Sequence, residues 1–75
     1  MNGTEKRSLT IAGHRTSVAL EPAFWQVLAE IAVARGLSLA RLIGDIDQGR
    51  AGALASALRL HALDHLRRKA ATGGR

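Results

Sequence analysis

The chain has no cysteine, a single proline, no tyrosine and only two aromatic residues, Phe24 and Trp25, among its 75 positions. Without cysteine there is no disulfide framework and no thiolate zinc site. Two rings make a poor set of stacking platforms, which counts against RNA and single-stranded nucleic acid, whose bases usually rest on several exposed aromatics. No apolar run approaches the roughly 18 residues of a membrane span, and the N-terminus lacks the continuous apolar stretch of a signal peptide. A cytoplasmic chain without membrane association is therefore expected. Also missing are a glycine-rich phosphate loop, a nucleophile with an evident base and a pair of spaced carboxylates, so no enzymatic activity is expected.

What is present is a small apolar domain with charge at its ends. A hydrophobic content of 47% is too high for a disordered tail. A chain of this length buries only about 60% of the surface that its unfolded form exposes, so self-association is the expected supplement to a marginal core. The formal charge is +5. Lys6, Arg7 and Arg15 outweigh Glu5 near the N-terminus, and Arg59, Arg67, Arg68, Lys69 and Arg75 outweigh Asp64 near the C-terminus, while the middle is slightly acidic. A polyanion fits that distribution.

Residues 1–8 read as a flexible arm, 9–71 as one domain and 72–75 as a frayed tail, with no internal repeat and no dividing linker. Ser8–Ala12 could extend a strand that Gly13 interrupts as a turn or bulge. His14–Leu20 is the clearest strand: Thr16, Val18 and Leu20 point to one side and Arg15, Ser17 and Ala19 to the other. From Pro22 the period changes to that of a helix, with Phe24, Val27, Leu28 and Ile31 on one stripe, Pro22 suited to the first turn and Gly36 to the left-handed end. Ser38 caps a second helix whose stripe is Leu39, Leu42, Ile43 and Ile46, and Leu37 and Leu42 have the spacing of a hydrophobic staple. Gly44 in that helix is read as a possible site of close helix crossing. Residues 47–52 read as a loop, and an additional helix from about 53 to 71 carries Leu54, Leu58, Leu63 and Leu66, which are expected to pack.

The expected fold is mostly helical with one short strand per chain. One strand cannot form a sheet, so a second copy is expected to supply its partner. The two would make an antiparallel ribbon with an exposed polar face, an element that fits the DNA major groove.

The order of strand, Pro-started helix, glycine turn and Ser-capped helix resembles the ribbon-helix-helix family of bacterial DNA-binding proteins. The segments Ala12–Glu21, Ala23–Trp25 and Arg35–Leu39 carry the likeness, which covers roughly Leu9 to Ile46, and Leu54–Leu66 resembles the extra C-terminal helix of some short members. The resemblance implies an intertwined homodimer on double-stranded DNA, with Arg15, Ser17 and Ala19 reading bases and Thr16, Val18, Leu20, Phe24, Leu28, Ile31, Leu42, Ile43 and Ile46 in the dimer core. It also implies a phosphate anchored at the backbone N–H groups of Ser38, Leu39 and Ala40, helped by Arg41. Lys6 and Arg7 would contact phosphate from the arm. Arg15 has the fork for a bidentate contact to guanine, while Ala19 departs from a more usual polar reader.

His61 and His65 share a helix face at the spacing of helical metal sites, but Ala62 stands where a zinc protease needs glutamate, and neither metal nor cofactor is expected. Two other readings remain open for the C-terminal helix: an antitoxin-like adaptor, or a dimeric module that docks a protein partner.

Overall fold

Between Ile11 and His14 the backbone turns through Ala12 and Gly13, both at positive φ, 52° and 82°. A two-residue loop with both residues at positive φ matches the twist of the strands it joins. The computed structural model, which describes residues 3–73, accordingly has two strands, β1 (Glu5–Ile11) and β2 (His14–Leu20), paired antiparallel from Glu5↔Leu20 to Ile11↔His14. The expectation of one strand per chain is corrected: the two-stranded ribbon closes within a single chain. A two-residue loop costs little closure entropy, so a strand partner nine residues earlier pairs readily, and it occupies one edge of β2. Residues 5–8 of the expected arm belong to β1, while Met1 and Asn2 lie outside the described residues, as do Gly74 and Arg75 of the expected tail.

Three helices follow: α1 (Pro22–Arg35), α2 (Leu39–Gly49) and α3 (Leu54–Gly73). Pro22 opens α1, and Gly36, at φ 70°, ends it by donating to the Ala32 and Val33 carbonyls while Leu37 N–H also reaches Ala32 O at 2.8 Å. Those bonds satisfy carbonyls that a helix end leaves free. Ser38 caps α2 as expected, its Oγ accepting from Arg41 N–H at 3.1 Å. The helix then runs on through Asp47–Gly49, which the sequence reading gave to a loop. The pairing of Arg50 with Asp47 across the helix end supports that extra turn.

One core joins all five elements. Val18, Leu20, Trp25, Leu28, Ile31, Leu42, Ile43, Leu58 and Ala62 are buried, with Thr16, Phe24 and Ile46 half-buried. These include the residues expected to form a dimer core, and the single chain itself buries most of them. Trp25 is the addition: its indole is 1% exposed, and its Nε1 donates to the Glu5 carbonyl at 2.8 Å. The first residue of the ribbon is thereby tied to the first turns of α1.

The packed face of α3 differs from the leucine pattern. Leu58 and Ala62 are fully buried with Leu54 and Ala55 beside them, whereas Leu63 and Leu66 are 48% and 39% exposed. Leu63 lies about 140° round the helix from Leu58, too far to share its face. Small Ala62 allows the close approach. Arg59 fixes the other side of α3, donating from Nε to Glu21 at 3.0 Å with its guanidinium over the Phe24 ring.

Gly44 faces a strand rather than a helix. A Cβ built there would meet Ile11 Cγ2 at 3.5 Å, an ordinary contact. Gly44→Ala should therefore raise stability by about 0.5–1 kcal/mol through helix propensity, read as a higher urea midpoint. A lower midpoint would show that the contact with β1 is tighter than this spacing allows.

Candidate nucleic-acid interface

Side chains alternate along paired strands, so the register fixes which residues share a surface. The inner face of the ribbon holds Arg7, Leu9, Ile11, Thr16, Val18 and Leu20, all half-buried or buried. The outer face holds Lys6, Ser8, Thr10, Arg15, Ser17 and Ala19, all exposed. The Ser8 and Ser17 hydroxyl oxygens lie 3.3 Å apart at its centre. Arg15, Ser17 and Ala19 thus emerge together, and β1 adds a row that the sequence reading did not assign to this face.

Charge separates this face from the rest of the molecule. All six acidic residues are held in ion pairs: Glu5 with Arg7, Glu21 with Arg59, Glu30 with Lys69, Asp45 with Arg41, Asp47 with Arg50 and Asp64 with Arg68. Among the described residues the cations outside such pairs are Lys6, Arg15, Arg35 and Arg67. Two of the four stand on the outer face of the ribbon, where there is no carboxylate.

Lys6 and Arg7, expected to act together, point to opposite sides. Arg7 turns inward, 4.7 Å over the Trp25 ring and bonded through Nε to Glu5 at 2.8 Å. Its guanidinium covers the indole from the solvent side and stays partly exposed.

The start of α2 lies beside the ribbon. Thr10 and Ala12 border one open groove with Ala40 and Arg41. In the first turn, Arg41 N–H is occupied by the Ser38 hydroxyl, whereas the Leu39 and Ala40 N–H groups have no acceptor within the helix, as at any helix start. The positive end of the helix dipole and the Arg41 side chain, which reaches Asp45 at 3.4 Å, adjoin them. This edge is suited to an anion.

His61 and His65 lie on α3 and border one groove with Arg35, Asp64 and Arg68. Among the described residues no three or more histidine, cysteine or acidic side chains gather as a metal site. Burial pushes the His61 imidazole below its ordinary pKa, and Arg35 lowers it further, against a smaller opposing pull from Asp64. The folded chain therefore takes up a proton at His61 less readily than the unfolded chain. That contribution to stability is complete above the ordinary imidazole range and is lost as pH falls through it. The urea midpoint should fall between about pH 7.5 and pH 5.5, and His61→Gln should flatten that slope. An unchanged slope would remove His61 from acid sensitivity.

No helix among the described residues is long and apolar enough to cross a membrane. No curated protein matches this sequence. Among solved structures, the chain is similar to an uncharacterized protein from Bordetella pertussis Tohama I, with 34% identity and a TM-score of 0.80 over 95% of this chain. The likeness covers 62% of that protein, so the chain spans less than two thirds of its length. The family model for the ribbon-helix-helix domain matches residues 4–66. With nearly the whole of its ribbon and helices inside that match, the chain belongs to the ribbon-helix-helix family, a non-enzymatic DNA-binding fold of transcriptional regulators.

Proposed function

We propose that the chain is a cytoplasmic, homodimeric transcriptional regulator that binds double-stranded DNA in a sequence-specific manner, with the outer face of its ribbon in the major groove. The observation that carries this reading is the unpaired Arg15 on an exposed face free of carboxylates, in a protein whose acidic side chains are all committed elsewhere. Arg15 contacts guanine through its fork, Ser17 donates or accepts, and Ala19 packs against a thymine methyl. The Leu39 and Ala40 N–H groups hold a phosphate beside the groove, with Ser38 shaping the turn and Arg41 adding charge. Because the ribbon closes within one chain, dimerisation rests on the family and on the exposed apolar side chains Leu63 and Leu66, not on a need for a strand partner.

Selection of bound duplexes from random DNA would supply a cognate site. Against it, Arg15→Ala should lose about 1–3 kcal/mol of affinity and relax the choice of base at one position. Arg41→Ala should weaken all duplexes alike and reduce the salt dependence by about one phosphate contact. Parent-like binding by both variants at equal salt would remove the ribbon and α2 from the DNA interface.

A further inference from the structure

Away from the ribbon, the last turn of α1, the C-terminal half of α2 and the middle of α3 border an open groove of about 520 Å³. Ile46, Ala57 and Leu60 form its apolar wall, and it continues along α3 past Ile31, His65 and Arg68. Arg35, His61 and Asp64 line both stretches. Small-molecule sites commonly have volumes of about 300–1,000 Å³ and an apolar lining with a few convergent polar groups. The charges here are unequally committed. Asp64 is paired with Arg68 at 2.9 Å and Asp45 with Arg41 at 3.4 Å, whereas Arg35 has no carboxylate partner among the described residues. A cation in the last turn of α1 suits that helix's dipole, which accounts for its sign but leaves its fork of donors free. The same groove holds two half-buried imidazoles.

We infer that this groove is a binding site for a small amphipathic carboxylic acid, its carboxylate held by the Arg35 guanidinium and the His61 imidazole and its apolar body laid against Ile46, Ala57 and Leu60. The site is separate from the ribbon and does not depend on DNA reading. A guanidinium fork matches a carboxylate with two parallel hydrogen bonds. Inorganic phosphate would engage the cation without using the apolar wall, and a neutral compound would leave the cation unmatched. Burial and then Arg35 hold the His61 imidazole below its ordinary pKa; Asp64 opposes them, while Arg68 and His65 add to the depression. Asp45 and Arg50, which line only the stretch along α2, carry opposite charges. An acid seated on Arg35 offsets that cation and brings negative charge beside the imidazole, so binding draws a proton onto His61. Affinity therefore rises as pH falls through the imidazole range, where a ligand carboxylate is still ionised.

Phenylacetate is a suitable probe, with phenylacetamide and inorganic phosphate as controls, each titrated into the isotope-labelled full chain and followed by NMR. Phenylacetate should give saturable shifts at Arg35 and at the His61 imidazole, with an affinity that Arg35→Gln lowers by about tenfold. Arg35 is exposed, so its substitution leaves the core intact, and the same spectra report the fold. Between about pH 7.5 and pH 5.5 the affinity of the parent should rise, and that of His61→Gln should stay level. Equal binding of phenylacetamide would overturn the role of Arg35 as a carboxylate ligand. Phosphate binding as tightly as phenylacetate would overturn the assignment to an amphipathic acid. An absence of saturable shifts at Arg35 and His61, including the case in which a second copy covers the groove, would overturn the site altogether.

Discussion

Trp25→Ala should unfold most of the protein at room temperature. Truncating a buried tryptophan typically costs about 3–5 kcal/mol. A domain of this length has a total stability of only about 4–11 kcal/mol. Two further losses accompany the cavity at this position. The Glu5 carbonyl forfeits the indole N–H that now reaches it at 2.8 Å, and the Arg7 guanidinium forfeits the ring 4.7 Å beneath it. Trp25→Phe separates these effects, since it keeps most of the apolar volume and removes only the donor, and it should cost about 1–3 kcal/mol. Urea titrations followed by far-UV circular dichroism measure both variants without relying on the single tryptophan. An alanine variant with the parent midpoint would mean that the clamp between β1 and α1 contributes nothing to the fold.

Leu58→Ala should be the second most damaging change, at about 2–5 kcal/mol, because Leu58 is fully buried where α3 meets the core. Leu63→Ala is the informative contrast. That residue is of the same type on the same helix, but its side chain faces outward in a single chain, so its truncation should change monomer stability by less than about 0.5 kcal/mol. An equal loss at both positions would show that a second copy covers Leu63. Leucine count alone does not distinguish the two sites, whereas the helix direction set by Arg59 and Ala62 does.

The helices were legible because their signals are local. Pro22 and Gly36 bracket α1, Ser38 caps α2, and the stripes Leu28–Ile31 and Leu42–Ile43 have the helical period, so each boundary depends on groups within a turn of one another. The alternation of His14–Leu20 likewise separates Arg15, Ser17 and Ala19 from Val18 and Leu20 before any partner is known. The overrun of α2 into Asp47–Gly49 escaped that reading because glycine and acidic residues resemble a loop until Arg50 pairs with Asp47.

By itself, then, the sequence determined a strand with two unlike faces, two bracketed helices, an additional C-terminal helix and membership in a recognisable pattern. Tertiary structure alone decided where the second strand comes from. Ala12 in a turn that favours asparagine, and Arg7 on an inner face, disguised β1 as a polar arm. Only with Trp25 beneath it does Arg7 become an interior-facing residue, because its charge pairs with Glu5 and its guanidinium covers a ring. Pairing also decided that Lys6, Ser8 and Thr10 share a face with Arg15, Ser17 and Ala19, since cross-strand register is a relation between distant residues that no single strand encodes.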